Sequence, residues 1–158
     1  NKFLSHIREV DSIIQVVRCF ENPNVVHVDG SINPIRDIET INLELIFSDL
    51  ETVDKRLDRA KKQLKADKKY QEEIQVLEKI KEALENGKGA RSVSLTEEES
   101  EYIKDAFLLT MKPILYIANI SEEDMEHPEN NNNYSKVVEY AKNENAGVIP
   151  LCIKMEEG

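Results

Sequence analysis

The chain has 158 residues, a formal net charge of -10, 40% hydrophobic and 33% charged residues, and no Trp. That is enough apolar material for one domain core, or for a domain with a large insertion, and the low aromatic content suits a helix-rich body. No apolar run reaches the ~18 residues of a spanning helix, no secretory leader is visible, and net negative charge opposes binding to an anionic membrane or to bulk nucleic acid except through a local basic patch.

Ser12 to Cys19 comes first among the regular elements. It is short, apolar and β-branched, which predicts a buried strand. Phe3, Leu4 and Ile7 before it suggest a short helix packed on that strand. Asn33 and Pro34 read as the cap and first residue of a long amphipathic helix. Its apolar seam runs through Ile38, Ile41, Leu45, Val53, Leu57, Ala60 and Leu64, widened by Leu43, Ile46 and Leu50. A second helix, with a seam through Tyr70, Ile74, Leu77, Ile80 and Leu84, follows Ala66-Asp67 and stops at Gly87 and Gly89. So short a turn predicts an antiparallel hairpin of coiled-coil type.

Thr96 and Glu99 form a capping-box pattern for a third helix reaching toward Ala106. Lys112 to Ala118 reads as a second strand, Asn130 to Asn133 as a polar loop, and Tyr134 to Asn145 as an amphipathic helix. Gly147 then releases the chain into a third strand, Val148 to Cys152. Strands alternating with helices predict an α/β fold with a parallel sheet, helix dominant. Cys19 and Cys152 end apolar runs and read as reduced core thiols of a cytoplasmic protein.

Three segments together resemble one family. They are Asn1-Lys2-Phe3-Leu4-Ser5-His6-Ile7-Arg8-Glu9-Val10-Asp11 running on to Arg18-Cys19-Phe20-Glu21-Asn22; Val26-His27-Val28-Asp29-Gly30 through Asn33-Pro34 to Glu44-Leu45; and Lys112-Pro113-Ile114-Leu115-Tyr116-Ile117-Ala118-Asn119 with Glu122. The pattern is similar to the YchF/Obg-like ATPases, a branch of the P-loop GTPase class. The resemblance implies a partial nucleotide-binding domain: residues 1–32, after switch II, and residues 107–158, with a helical coiled-coil insertion at 33–106. The phosphate-binding loop and the TGS domain would lie outside the chain. It also implies ATP or GTP with Mg²⁺ as ligands of the full-length protein, and association with ribosomes.

On this reading Asn119 stands at the carboxyl end of a parallel strand, the edge where open α/β sheets bind ligands. Its amide can donate to and accept from a purine, and the Glu122 carboxylate can accept from an N–H. GTPases of the class carry Asn-Lys-x-Asp there; Asn119-Ile120-Ser121-Glu122 lacks the Lys and has a longer acid, which the resemblance links to adenine. The same four residues also read as a plain turn that caps the next element. Cys152 and Ile153 begin the loop corresponding to the second base contact, and Ile153, Lys154 and Met155 are bulky for that role. His27 would assist the attacking water by resemblance; by itself it reads equally as a loop or core His. No Gly-x-x-x-x-Gly-Lys-[Ser/Thr] and no Asp-x-x-Gly occurs, so the chain alone is expected not to hydrolyse nucleotide and to carry no metal site.

Lys55, Arg56, Arg59, Lys61, Lys62, Lys65, Lys68 and Lys69 surround the hairpin turn. They are either a basic tip for RNA or the ribosome, or a solvated face with pairs such as Glu51–Lys55 and Asp58–Lys62. Only Tyr70 is interleaved as an aromatic, which gives no support to single-strand recognition. An apolar edge at Ser12 to Cys19 would be left open for self-association. The reading from another class is a helical scaffold or RNA-docking module without a nucleotide role.

Overall fold

The computed structural model describes residues 12–20 and 32–153. They form a helix-rich α/β protein that divides into two compact units. One, the sheet unit, comprises described residues 12–20, 32–41 and 113–153; the other, the helical unit, comprises residues 42–112. The expected helix over Phe3 to Ile7 lies outside the described residues.

In the sheet unit β1 (Ile13–Arg18), β2 (Ile114–Asn119) and β3 (Gly147–Leu151) run parallel in the order β1-β2-β3. Each strand is offset slightly from its sequence expectation. β2 begins at Ile114 rather than Lys112 because Pro113 has no N–H to donate, although its carbonyl still accepts from Ile13 N at 2.9 Å. Pro150 is tolerated within β3 for a related reason. Leu151 turns its carbonyl to Ile120 N at 2.8 Å, so the preceding residue faces away from β2 and needs no donor there.

The two faces of this sheet differ. Ile13, Gln15 and Val17 of β1 and Ile114, Tyr116 and Ala118 of β2 are buried. The helix α1 (Pro34–Leu64) begins in this unit, while a further helix at Asn132–Asn143 packs on β2 and β3, with Tyr140 edge-on to Tyr116 at 6.3 Å between centroids. On the opposite face Ile14 is 58% and Val16 59% exposed, with Ile149 and Leu151 also exposed.

Local chemistry sets the helix ends. Asn33 Oδ1 accepts from Arg36 N at 3.0 Å, so the cap and the first-turn proline of α1 fall where expected. Helix α2 (Tyr70–Glu85) ends with Lys88 N bonded to Ala83 O and Gly87 N to Leu84 O. This double bond requires a left-handed residue, and Gly87 supplies it at φ 78°. Helix α3 (Glu97–Ile103) has the complete Thr96–Glu99 capping box, then tightens into a 3₁₀ turn over Lys104–Ala106 instead of continuing. Helix α4 (Asn132–Asn143) ends with the same double bond as α2, Ala146 N to Ala141 O and Asn145 N to Lys142 O. Here the left-handed residue is Asn145, at φ 55°, and not Gly147, which already belongs to β3.

The helical unit has its own core. Val53, Leu57 and Ala60 of α1 meet Leu77, Ile80 and Leu84 of α2, closed over by Ile103 and Leu108. Asp54 pairs with Lys81 at 2.8 Å and Arg56 with Glu73 at 3.3 Å, a low-with-high order that fits antiparallel helices joined by residues 65–69. Ile41 and Leu43, both expected on the apolar seam, are instead exposed, as is Phe47. Asp49 is buried and accepts from Leu109 N, Thr110 N and Thr110 Oγ1 at 2.6–2.8 Å. Thr110 Oγ1 in turn accepts from Ala90 N at 2.7 Å, so one carboxylate organises two distant turns.

Candidate functional site

The carboxyl ends of the three strands meet through hydrogen bonds from both backbone and side chains. Cys19 N, just past β1, donates to Asn119 O at 2.9 Å. Asn119 is the last residue of β2, and its Oδ1 accepts from Ile153 N, just past β3, at 3.0 Å. This side chain therefore ties the loop after β2 to the loop after β3. The remaining donors of its amide are the two N–H groups of Nδ2. Cys152 and Ile153 are half-buried beside it. For Cys152 this replaces the expected core position; Cys19, in contrast, is buried, and burial pushes its thiol up to about 12. Both cysteines are free.

Ile120 is fully buried, so the chain is anchored immediately after Asn119. Ser121 then caps a 3₁₀ turn, Glu122–Met125, its Oγ accepting from Asp124 N at 3.3 Å. Glu122 stands exposed at the start of that turn. Ser121 therefore performs the turn-capping role, with Asn119 and Glu122 on either side of it in sequence.

One residue that gave no sequence signal joins the same edge. Asn131, within the polar run, donates through Nδ2 to Cys19 O at 2.9 Å and to Asp124 Oδ2 at 3.0 Å, and its Oδ1 accepts from Tyr134 N at 2.9 Å as the cap of α4. It links the exit of β1, the turn after Asn119 and the start of α4. His27 lies outside the described residues.

The edge thus presents an anchored amide and a backbone held at the strand ends, the position where open α/β sheets bind ligands. The sequence contains no Gly-x-x-x-x-Gly-Lys-[Ser/Thr] motif. Among the described residues no group of three or more His, Cys, Asp or Glu could hold a metal ion. No described helix is long and apolar enough to cross a membrane.

The basic residues of the helical unit divide by environment. Lys55, Arg59, Lys61, Lys62, Lys65, Lys68 and Lys69 are exposed, with Lys55 paired to Glu51 at 3.3 Å. Arg56 is placed differently, its side chain only 13% exposed. It donates to Tyr102 O at 2.9 Å and to Asp105 Oδ1 at 2.9 Å, besides its pair with Glu73. That guanidinium holds the Asp105 carboxyl below its usual range. Tyr102 and Phe107 come to line one concavity with Tyr70, so Tyr70 is not the sole aromatic near the basic tip.

Comparison with known proteins gives consistent relatives. The "Ribosome-binding ATPase YchF" of Bacillus subtilis (strain 168) is 54% identical over 157 residues, which cover 99% of this chain and 43% of that protein. "Obg-like ATPase 1" of Saccharomyces cerevisiae is 40% identical over 165 residues, covering 99% of this chain and 42% of its own length. The solved structure of the Schizosaccharomyces pombe YchF GTPase matches 96% of the chain and 42% of that structure, with a TM-score of 0.83 at 34% identity. No protein-family model matches the chain. It spans a little over two fifths of the length of these relatives. The likeness extends across both units at well above chance identity, and the chain belongs to the YchF/Obg-like ATPase family.

Proposed function

We propose that this chain supplies the base-recognition edge of an ATP- or GTP-hydrolysing protein, with the phosphates and Mg²⁺ held by polypeptide beyond these 158 residues. Residues 1–32 and 107–158 are parts of the nucleotide-binding domain, and 33–106 form its helical coiled-coil insertion. The observation that carries the reading is the bond from Ile153 N to Asn119 Oδ1, which sets a purine-compatible amide at the mouth of the parallel sheet. Asn119 contacts the base, Glu122 accepts from it, and Cys152 and Ile153 border it. His27 orients the attacking water.

Bound nucleotide would supply the triphosphate chemistry; this chain's residues would orient the base and exclude water from one side of it. Electrostatic stabilisation of the transferring phosphate is normally the largest catalytic contribution. The isolated chain is therefore expected to be inactive. In the full-length protein it acts as a cytoplasmic nucleotide switch linked to translation. Names of relatives such as ribosome-binding ATPase support this reading. Within the full-length protein, Asn119→Ala should weaken ATP and GTP binding by on the order of tenfold, as expected for a lost base contact worth ~1–3 kcal/mol. Equal nucleotide affinity before and after the change, measured by calorimetry, would remove the base-reader assignment, as would turnover by the isolated chain.

A second reading rests on the exposed lysines and arginines of the helical unit. Lys55, Arg59, Lys62, Lys65, Lys68 and Lys69 form an RNA-docking surface for the ribosome, with Arg56 as an internal tie behind it. Self-association through the β1 edge is the remaining contact expected of the isolated chain.

A further inference from the structure

We propose that the concavity beside the tip of the helical unit receives one unpaired RNA nucleotide, its base stacking on Phe107; this rests on the reading of the basic tip as an RNA-docking surface. The concavity measures about 690 Å³ and lies wholly within the helical unit. Its lining includes Arg59 and Gln63 from the end of α1, Tyr70 from the start of α2, and Tyr102 and Phe107 from the segment after Thr96. Tyr70 also lies next to the tip itself, with Lys69 Nζ 5.4 Å from its ring centroid.

Phe107 is the unusual residue. It adopts φ 51° and ψ 49°, a left-handed conformation disfavoured for a bulky side chain and cheap for Gly or Asn. Burial does not compensate, for the residue is 56% exposed. A ring held in a costly backbone conformation, open to solvent and lining a concavity is placed to meet something from outside. Its flat face suits a nucleobase, which every unpaired nucleotide can offer and a paired one hides in the stack.

Charge favours RNA over a protein segment as the occupant. Within the lining the cations Arg56, Arg59 and Lys104 are matched by the carboxylates Glu73, Glu101 and Asp105, with Arg56 paired directly to Glu73 and Asp105, so the interior suits an uncharged base. Further exposed cations, Lys61, Lys62, Lys65, Lys68 and Lys69, follow on the end of α1 and the turn 65–69, where phosphates flanking that base would pass. The carboxylate of Glu101, also in the lining, can accept from a ring or exocyclic N–H.

The test uses the 158-residue chain and two fluorescent RNA hairpins of equal length, one fully paired and one with a single-nucleotide bulge. Anisotropy is followed from low to physiological salt. The expected result is a preference for the bulged hairpin of roughly tenfold. Phe107→Leu, which keeps apolar packing without a π face, and Phe107→Gly, which suits the backbone, should both lose it; Phe107→Tyr should keep it. Reversing Lys65, Lys68 and Lys69 to Glu should weaken both probes alike and flatten the salt dependence. Equal binding of the two hairpins, or retention of the preference in Phe107→Leu, overturns the base pocket while the docking surface stands. No binding of either hairpin at low salt removes both. Loss of ribosome co-sedimentation in Phe107→Gly with both hairpins unaffected would assign the concavity to a protein segment and overturn the proposal.

Discussion

The helical unit and the sheet unit solve burial differently. The helical unit closes on itself: Leu77, Ile80 and Val53 are fully buried, and its polar interior is organised around Asp49. The sheet unit covers one face of its strands and leaves Ile14, Val16, Ile149 and Leu151 exposed on the other. Parallel sheets ordinarily have both faces covered. Amphipathic helices here finish their core with neighbours from the same 71 residues, whereas one face of the parallel sheet is left without cover among the described residues.

Truncating a side chain in each unit should give the largest difference between them. Leu77→Ala should cost about 2–5 kcal/mol, because it opens a cavity in a closed core. Val16→Ala, on the exposed face, should stay within about 0.5 kcal/mol. Urea unfolding of the two variants measures both. Comparable losses would mean that Val16 is covered in solution, and light scattering would then report whether another copy covers it.

A smaller effect is expected at Asp49. Asp49→Ala leaves two backbone N–H groups and a hydroxyl without their acceptor and should cost about 2–3 kcal/mol. Asp49→Asn keeps one acceptor oxygen and should lose less. If the two substitutions were equivalent in thermal unfolding, the carboxylate would not be organising the turns at Leu109 and Ala90.

The smallest effect concerns acid. Arg56 lowers the Asp105 carboxyl from 3.8, and Lys79, followed by the Thr96 backbone N–H, lowers that of Glu99 from 4.5. A depressed folded-state value means that the unfolded chain binds protons first. The contribution is therefore present at neutral pH and fades as pH falls below about 4.5, through the folded values. Asp105 is exposed and Glu99 only partly buried, so solvent screens both pairs and the effect is modest. A stability titration should show a shallower acid slope in Arg56→Met; an unchanged slope would argue against the Asp105 contact.

Features governed by near neighbours were legible in the sequence. Asn33 with Pro34, Thr96 with Glu99 and Gly87 act within a few residues, and their chemistry is the same in any fold. The three parallel strands were legible too, from apolar runs punctuated by helices. The edge at Asn119 was readable because the strand before it was. Asn131 was not: its partners Cys19 and Asp124 come from different loops, and an Asn run looks like any polar turn. Arg56 was hidden for the same reason, since Glu73 and Asp105 reach it only after α1, α2 and α3 assemble. Phe107 escaped because a left-handed phenylalanine has no sequence signature. Ile41 and Leu43 show the reverse, apolar residues at the right spacing that the fold leaves in water.

The proline in β3 gives the sheet a direction of growth. Facing away from β2, Pro150 offers an incoming strand no hydrogen to share on that flank. Ile14 and Val16, on the far flank of β1, keep ordinary amides. Among the described residues, an added strand would therefore find a ladder interrupted at Pro150 beside β3 and uninterrupted beside β1, which favours growth on the β1 side.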